Sequence, residues 1–324
     1  MLLESVLSGN RLSLARLITG IENGDEEALI LLDALFVYSG KAHLIGITGA
    51  PGTGKSSLVN QIARFYRHPP DHQPARRVGI VAVDPTSPFS GGALLGDRVR
   101  MRELSGDEGV FIRSMASRGT LGGLAAATSQ VVRALDAAGF DVILIETVGV
   151  GQSEIDIANL AHTVVVVEAP GLGDDIQAGK AGILEVADIL TVNKADLAGA
   201  DNTRRLLEQM LEMAFPTGTA VSTSDIEVIW RPPVIKTVAN QSEGIEILFN
   251  ALQAHLDHIK NNGEWQVRTQ RRLQNELEYL LRDRLMTDWR AHISQLDYAD
   301  ILQRIFNCQI SPVRAVDVLL ALET

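Results

Sequence analysis

The sequence predicts an α/β fold: a doubly wound, mostly parallel sheet with helices on both faces, extended by helices at the N-terminus and by a helical arm at the C-terminus. Two observations carry this. From residue 43 to about residue 255, short apolar runs alternate with stretches of helical periodicity, as buried parallel strands and their crossover helices do. The first run leads into Gly49-Ala50-Pro51-Gly52-Thr53-Gly54-Lys55-Ser56, a full match to G-x-x-x-x-G-K-[ST], the loop that joins a strand to a helix around phosphate.

Residues 1–40 read as helices. Leu12, Leu14, Leu17 and Ile18 form one stripe, Asn23-Gly24-Asp25 interrupts it, and a second helical run covers 28–37. No catalytic signal lies there. Residues 41–260 hold the expected sheet, with strands at 43–48, 78–83, 110–112, 142–145, 163–167, 189–192 and 234–235 and helices at 57–66, 122–138, 201–214 and 244–260. Ligands of such a sheet gather at the carboxyl ends of its strands. Residues 261–324 form the arm: a charged helix over 264–290 with Leu273, Leu277, Leu280 and Leu285 on a stripe, then two shorter helices divided by Ser311-Pro312. Such a stripe packs on a second subunit or folds back on its own domain, and the sequence leaves both open.

Composition narrows the function classes. The 324 residues are 46% hydrophobic and 21% charged, with a formal net charge of −11, a globular balance that argues against non-specific binding of nucleic acid. The one cysteine, Cys308, excludes an internal disulfide framework and suits a reducing compartment; it reads as a small buried hydrophobe on the C-terminal helices. The opening Met1-Leu2-Leu3-Glu4 lacks a basic leader, and no run approaches the roughly 18 apolar residues of a membrane span. The expectation is a cytoplasmic protein with no membrane and no nucleic-acid partner.

The chemistry concentrates at the strand ends. In the loop Gly49, Ala50, Pro51, Gly52, Thr53 and Gly54, every residue but Pro51, which shapes the turn, supplies a backbone N–H group to phosphate oxygens at a helix N-terminus, which Ser57 extends. Lys55 neutralises charge there, and Ser56 reaches magnesium. Downstream, Asn193-Lys194-Ala195-Asp196 follows directly after a predicted strand. The Asp196 carboxylate accepts from guanine N1–H and its exocyclic amine, whereas adenine offers a bare N1. Asn193 braces neighbouring loops and Lys194 covers the base face. Together the two motifs specify a guanine nucleotide. Thr237, Val238 and Ala239 follow the last strand, where backbone N–H groups meet the guanine carbonyl. Asp84 and Asp97, flanking a loop rich in Pro, Gly and hydroxyls, and Glu146 after the fourth strand are hard-oxygen candidates for magnesium. Gly149 offers an N–H to the γ-phosphate. Gln152 stands three residues after Gly149, so position does not make it the residue that orients water. Asp174 and Lys180 lie in a loop rich in Gly and Pro and are candidates for an ion pair or for contact with the nucleotide.

The blocks 83–101 (VDPTSPFSGGALLGDRVRM), 113–123 (RSMASRGTLGG) and 146–154 (ETVGVGQSE) resemble the MeaB/ArgK family of methylmalonyl-CoA mutase-associated GTPases, and the likeness runs from about residue 40 to 250. The resemblance implies a homodimeric P-loop GTPase that hydrolyses GTP to GDP with Mg2+. It also implies a partner, an adenosylcobalamin-dependent acyl-CoA mutase whose cofactor loading the GTPase gates and which it protects from inactivation. Lys55 and Ser56 then hold phosphate and metal, Asp84, Asp97 and Glu146 resemble the family's metal-site acids, and the loop from Asp174 to Lys180 resembles a third nucleotide-responsive switch. Val238 departs from the pattern, where a Ser is common. Two rivals share the broader fold: a metal-delivery GTPase for nickel or cobalt enzymes, and a kinase acting on a periplasmic transport protein.

Overall fold

The computed structural model describes residues 2–70, 73–85, 104, 106–117, 123–147, 153–171, 186–215 and 229–321, the side chains of 84–85, 116–117, 123–126 and 153–156 excepted. It divides after Leu273 into two compact units. The first contains a seven-stranded sheet: β1 (His43–Thr48), β2 (Val78–Pro85), β3 (Val110–Ser117), β4 (Val142–Thr147), β5 (Thr163–Glu168), β6 (Ile189–Val192) and β7 (Val234–Lys236). The strand order is β3-β2-β4-β1-β5-β6-β7, and every pairing is parallel. All residues of β1, β4, β5 and β6 are buried, which is why these strands read as unbroken apolar runs rather than alternating ones.

Two cores cover the sheet. On one face, Leu58, Val59 and Ile62 of α4 (Lys55–Arg67) and Leu248 and Leu252 of α8 (Ile245–Asn261) pack on Ile45, Ile47, Leu144 and Val165. On the other, α5 (Gly123–Ala137), α6 (Ser153–Leu160) and α7 (Ala200–Ala214) meet Leu44, Ile143, Ile145 and Val164. The expected N-terminal helices join this second core. From α1 (Leu2–Leu7), α2 (Arg11–Asn23) and α3 (Glu26–Leu35) come Val6, Leu14, Ile18, Leu32 and Leu35, all at most 3% exposed. Asn10 caps α2 by accepting from the Ser13 N–H at 3.0 Å, and Gly24 closes the helix at φ 75°, a conformation that suits glycine.

The strand that follows β1 in the chain lies on one side of it and the strand that follows β4 lies on the other. This reversal opens a crevice at the carboxyl ends of the central strands. β2 and β3 run past their apolar stretches: Asp84 pairs with Ala116 and Pro85 with Ser117. Hydrogen bonding continues there after the apolar pattern has stopped.

At the amino ends of the strands a buried polar chain crosses three elements. His43 Nε2 lies 2.7 Å from Thr163 Oγ1, and Thr163 Oγ1 lies 2.8 Å from His255 Nδ1. His255 Nε2 stands 3.2 Å from Asp188 Oδ1. Asp188 is also gripped by both Nη groups of Arg268, at 2.8 and 2.9 Å, and by the Val164 N–H. Burial alone would raise the Asp188 pKa, but the hydrogen bonds from His255 and Arg268 outweigh it and hold the carboxylate ionised.

The second unit is helical. α9 (Glu264–His292) enters it, followed by α10 (Gln295–Phe306) and α11 (Pro312–Ala321). Ser294 caps α10 by accepting from the Leu296 N–H. In the predicted stripe Leu277 and Leu285 are 67% and 60% exposed. Cys308 corrects the sequence reading: it is exposed, at φ 55° in the turn after α10, because the helix has ended before it can face inward. Among the described residues no helix is long and apolar enough to cross a membrane.

Burial, with a smaller contribution from His255, lowers the His43 pKa from 6.5 to about 3. The unfolded chain binds a proton between those values that the folded chain refuses, so His43 takes no stability away at pH 7 and progressively more as pH falls from about 6.5 toward 3. Urea unfolding should show that loss, with His43 contributing up to about 1.4 kcal/mol per pH unit. In His43→Gln the same titration should be flatter.

Candidate functional site

The crevice is built around the loop between β1 and α4. Gly49, Gly52 and Gly54 have φ of 139°, 82° and 93°. At two of them a side chain would also collide: a Cβ on Gly49 would stand 2.0 Å from the Val167 carbonyl oxygen, and one on Gly54 2.4 Å from Asn193 Nδ2. Gly54 is also the residue before α4, and no side chain caps the helix there. The N–H groups of its first turn, including those of Lys55, Ser56 and Ser57, therefore remain suited to an anion. Lys55 is 6% exposed, and its Nζ donates to the Gly49 and Ala50 carbonyls at 2.8 and 3.1 Å. Thr53 Oγ1 donates to the Ala50 carbonyl at 2.9 Å. Pro51 and Gly52 form the exposed crest.

Ser56, on the first turn of α4, donates its hydroxyl to Glu146 Oε1 at 2.6 Å. Glu146 is 7% exposed at the end of β4, level with Ile47 of β1. Two hard oxygens from separate elements thus converge at the strand ends, the donor set magnesium prefers. Asp84 lies at the carboxyl end of β2, where its backbone pairs with Ala116, and its side chain is outside the described residues. Asp97, Gly149, Asp174 and Lys180 are outside them as well.

The second predicted motif meets the first through Asn193. This residue is 2% exposed, and its Nδ2 donates to the Thr53 carbonyl at 2.8 Å. Its Oδ1 accepts from the Thr237 hydroxyl and from the Ala239 N–H, each at 3.1 Å. Its own N–H donates to the Glu168 carbonyl at 2.8 Å. Asn193, the residue after β6, therefore joins the phosphate loop to the end of β5 and to the segment after β7. Lys194, at φ 56°, turns the chain so that Lys194 and Asp196 stand exposed beside this junction.

The segment after β7 holds a surprise. Its three N–H groups, expected to face a base, are engaged within the chain. That of Thr237 donates to the Val192 carbonyl, that of Val238 to Glu243 in an antiparallel bridge, and that of Ala239 to Asn193. Sequence reasoning also passed over Glu168, which ends β5 2% exposed beside the junction. Its signal was present: an acid closing the otherwise apolar run Thr163–Glu168.

Comparison with known proteins extends this picture. Residues 14–294 match the family model described as methylmalonyl Co-A mutase-associated GTPase MeaB. A Pyrococcus abyssi protein whose name includes the word GTPase is 43% identical over 98% of this chain and 95% of its own length. The mouse methylmalonic aciduria type A homolog, a mitochondrial protein, is 30% identical over 98% of this chain and 78% of its own. Among solved structures, one described as a LAO/AO transport system kinase superposes with a TM-score of 0.68 at 26% identity, covering 99% of this chain and 95% of that one.

Asn193→Ala would leave the Thr53 carbonyl, the Thr237 hydroxyl and the Ala239 N–H without their partner. In nucleotide-free protein, urea unfolding should show a loss of about 2–4 kcal/mol, since each buried orphan costs roughly 1–3 kcal/mol before relaxation. A loss below about 0.5 kcal/mol would mean that the junction is not held through this side chain.

Proposed function

The chain belongs to the MeaB family of methylmalonyl Co-A mutase-associated GTPases and is itself a GTPase, and from that premise we propose that it is the nucleotide-driven chaperone of an adenosylcobalamin-dependent acyl-CoA mutase. In this reading GTP binding and hydrolysis gate the loading of the mutase's cofactor and protect the mutase from inactivation. The observation that carries it is the family match over residues 14–294, whose description names mutase association. The mouse relative, named for methylmalonic aciduria, points the same way. The functional parts we assign are the N-terminal helices 1–40, a GTPase domain at 41–260 and a C-terminal arm at 261–324, in a protein working in the cytoplasm.

The phosphate loop would take the triphosphate on its N–H groups, with Lys55 exchanging the Gly49 and Ala50 carbonyls for phosphate oxygens. Ser56 and Glu146, whose oxygens already meet, would hold Mg2+, joined by Asp84 and Asp97. When bound, that ion offsets charge on the phosphate oxygens. Water attacks the γ-phosphorus in line, the bond to the β-phosphate oxygen breaks, and GDP and phosphate leave. Gly149 and the pair Asp174 and Lys180 are proposed to respond to the γ-phosphate. Asp196 reads guanine N1–H and the exocyclic amine, Lys194 covers the base, and the Ala239 N–H, shared with Asn193, reaches the base carbonyl. A homodimer through the arm is supported by its apolar exposure: Leu296, Phe306 and Val313 are each about four-fifths exposed, more apolar surface than water favours.

Three experiments test these assignments. Asp196→Asn replaces two acceptors with one donor and one acceptor, which matches xanthine, whose C2 carries a carbonyl. Calorimetry should show GTP binding weakened by about 10³-fold and XTP gaining by a similar factor; an unchanged GTP preference would remove Asp196 from the base site. For Ser56→Ala, the Mg2+ concentration that gives half-maximal turnover should rise at least about tenfold. Adding an acyl-CoA mutase should change the GTP turnover rate, with all phosphate released free. An unaltered rate would count against the chaperone reading, and phosphate found on protein would favour the kinase activity named for the solved relative.

A further inference from the structure

At the end of the sheet opposite the phosphate loop lies a cavity of about 430 Å³, within the range of small-molecule sites. It is lined by the segments before β1, β2 and β4, by the N-terminal helices and by α8. Three cations from three separate elements rim it: Lys41, Arg76 and Lys260. Lys41 has no ion-pair partner among the described residues. Lys260 lies over the Trp265 ring at 5.0 Å, and Arg76 reaches only the partly exposed Asp141, at 3.8 Å. The two acids in the wall are already committed. Asp136 accepts from the backbone N–H groups of Gly40, Lys41 and Ala42, and Asp141 from that of Arg77. The inner wall is apolar and aromatic, with Tyr66, Phe140 and Leu256.

One buried polar atom in this wall lacks a partner. His43 is 3% exposed, and its Nδ1 makes no hydrogen bond. The other ring nitrogen is taken up by the polar chain behind it, His43 Nε2 lying 2.7 Å from Thr163 Oγ1, so Nδ1 is the ring atom left to a ligand.

We propose that this cavity is a second ligand site, distinct from the GTP site, for a heterocyclic organic phosphate of mononucleotide size: the phosphate is held by Lys41, Arg76 and Lys260, the ring lies on the aromatic wall, and a polar group of the ring system pairs with His43 Nδ1. Three cations on one rim suit a dianion better than a monocarboxylate.

The test is calorimetry on the full chain saturated with GDP and Mg2+, titrated with CMP and AMP, both of which bear an exocyclic amine, and in parallel with cytidine and inorganic phosphate. At least one of the two nucleotides should bind at one equivalent without displacing GDP, and at least tenfold more tightly than cytidine or phosphate. Lys41→Ala/Lys260→Ala replaces two exposed side chains and should weaken that binding at least tenfold while GTP turnover stays unchanged. His43→Phe, if folded, should weaken it further. The proposal is overturned if neither nucleotide binds, if binding displaces GDP, if cytidine or phosphate binds as well as the nucleotide, or if the double variant binds as the parent does.

Discussion

The crevice depends on one buried amide. Asn193 reaches the phosphate loop with its nitrogen and the segment after β7 with its oxygen, while its backbone is tied to the end of β5. No other residue type has a donor and an acceptor of that reach on one planar group; Asp in its place would set a charge against the Thr53 carbonyl. The constraint extends outward. Because Nδ2 lies where a Cβ of residue 54 would be, residue 54 must be glycine, and that glycine leads into α4 with its first-turn N–H groups uncapped. The part of the crevice suited to phosphate and the part expected to read the base are therefore one hydrogen-bonded object.

Much of this was legible in the sequence, for a physical reason. Strands buried on both faces have no alternative to continuous apolar runs, so β1 and β6 read correctly to their last residues. The phosphate loop is legible because its glycines answer to sterics that admit nothing else. What escaped were polar contacts made between distant segments. His43, Thr163, Asp188 and His255 are scattered through two hundred positions, and only the parallel pairing of β1 with β5 brings the first two together. Glu168 looked like the first residue of a loop but is the last of a strand. The N–H groups after β7 looked available because sequence shows donors and not what they donate to. Cys308 was misread because the helix, closed by local capping at Asn307, ends two residues before it.

The two ends of the sheet use buried polarity differently. At the carboxyl ends, loop backbone supplies most of the hydrogen-bonding groups and side chains such as Asn193 and Ser56 hold the loops in place. At the amino ends, side chains bond to side chains, and a single carboxylate, Asp188, collects Arg268, His255 and the Val164 N–H. A buried ion pair of this kind is weak evidence for stability, since desolvation offsets most of its attraction. Its geometry has a clearer consequence. Arg268 sits in the second turn of α9, and a bidentate grip on a carboxylate fixes the rotation of the turns that bear it.

That grip is reinforced by contacts that apolar packing alone would not specify. His162 stacks on Trp265 at 3.8 Å, and its Nε2 lies 3.2 Å from Thr269 Oγ1, while Arg268 also donates to the His162 carbonyl at 2.8 Å. Four positions on the first two turns of α9, Glu264, Trp265, Arg268 and Thr269, are thereby registered against the sheet or against one another. Here a guanidinium, an indole and a hydroxyl, each seated on named partners, fix the rotation of the helix's first turns. The first two turns of α9 are thus fixed at the amino ends of the strands, on the far side of the sheet from the phosphate loop.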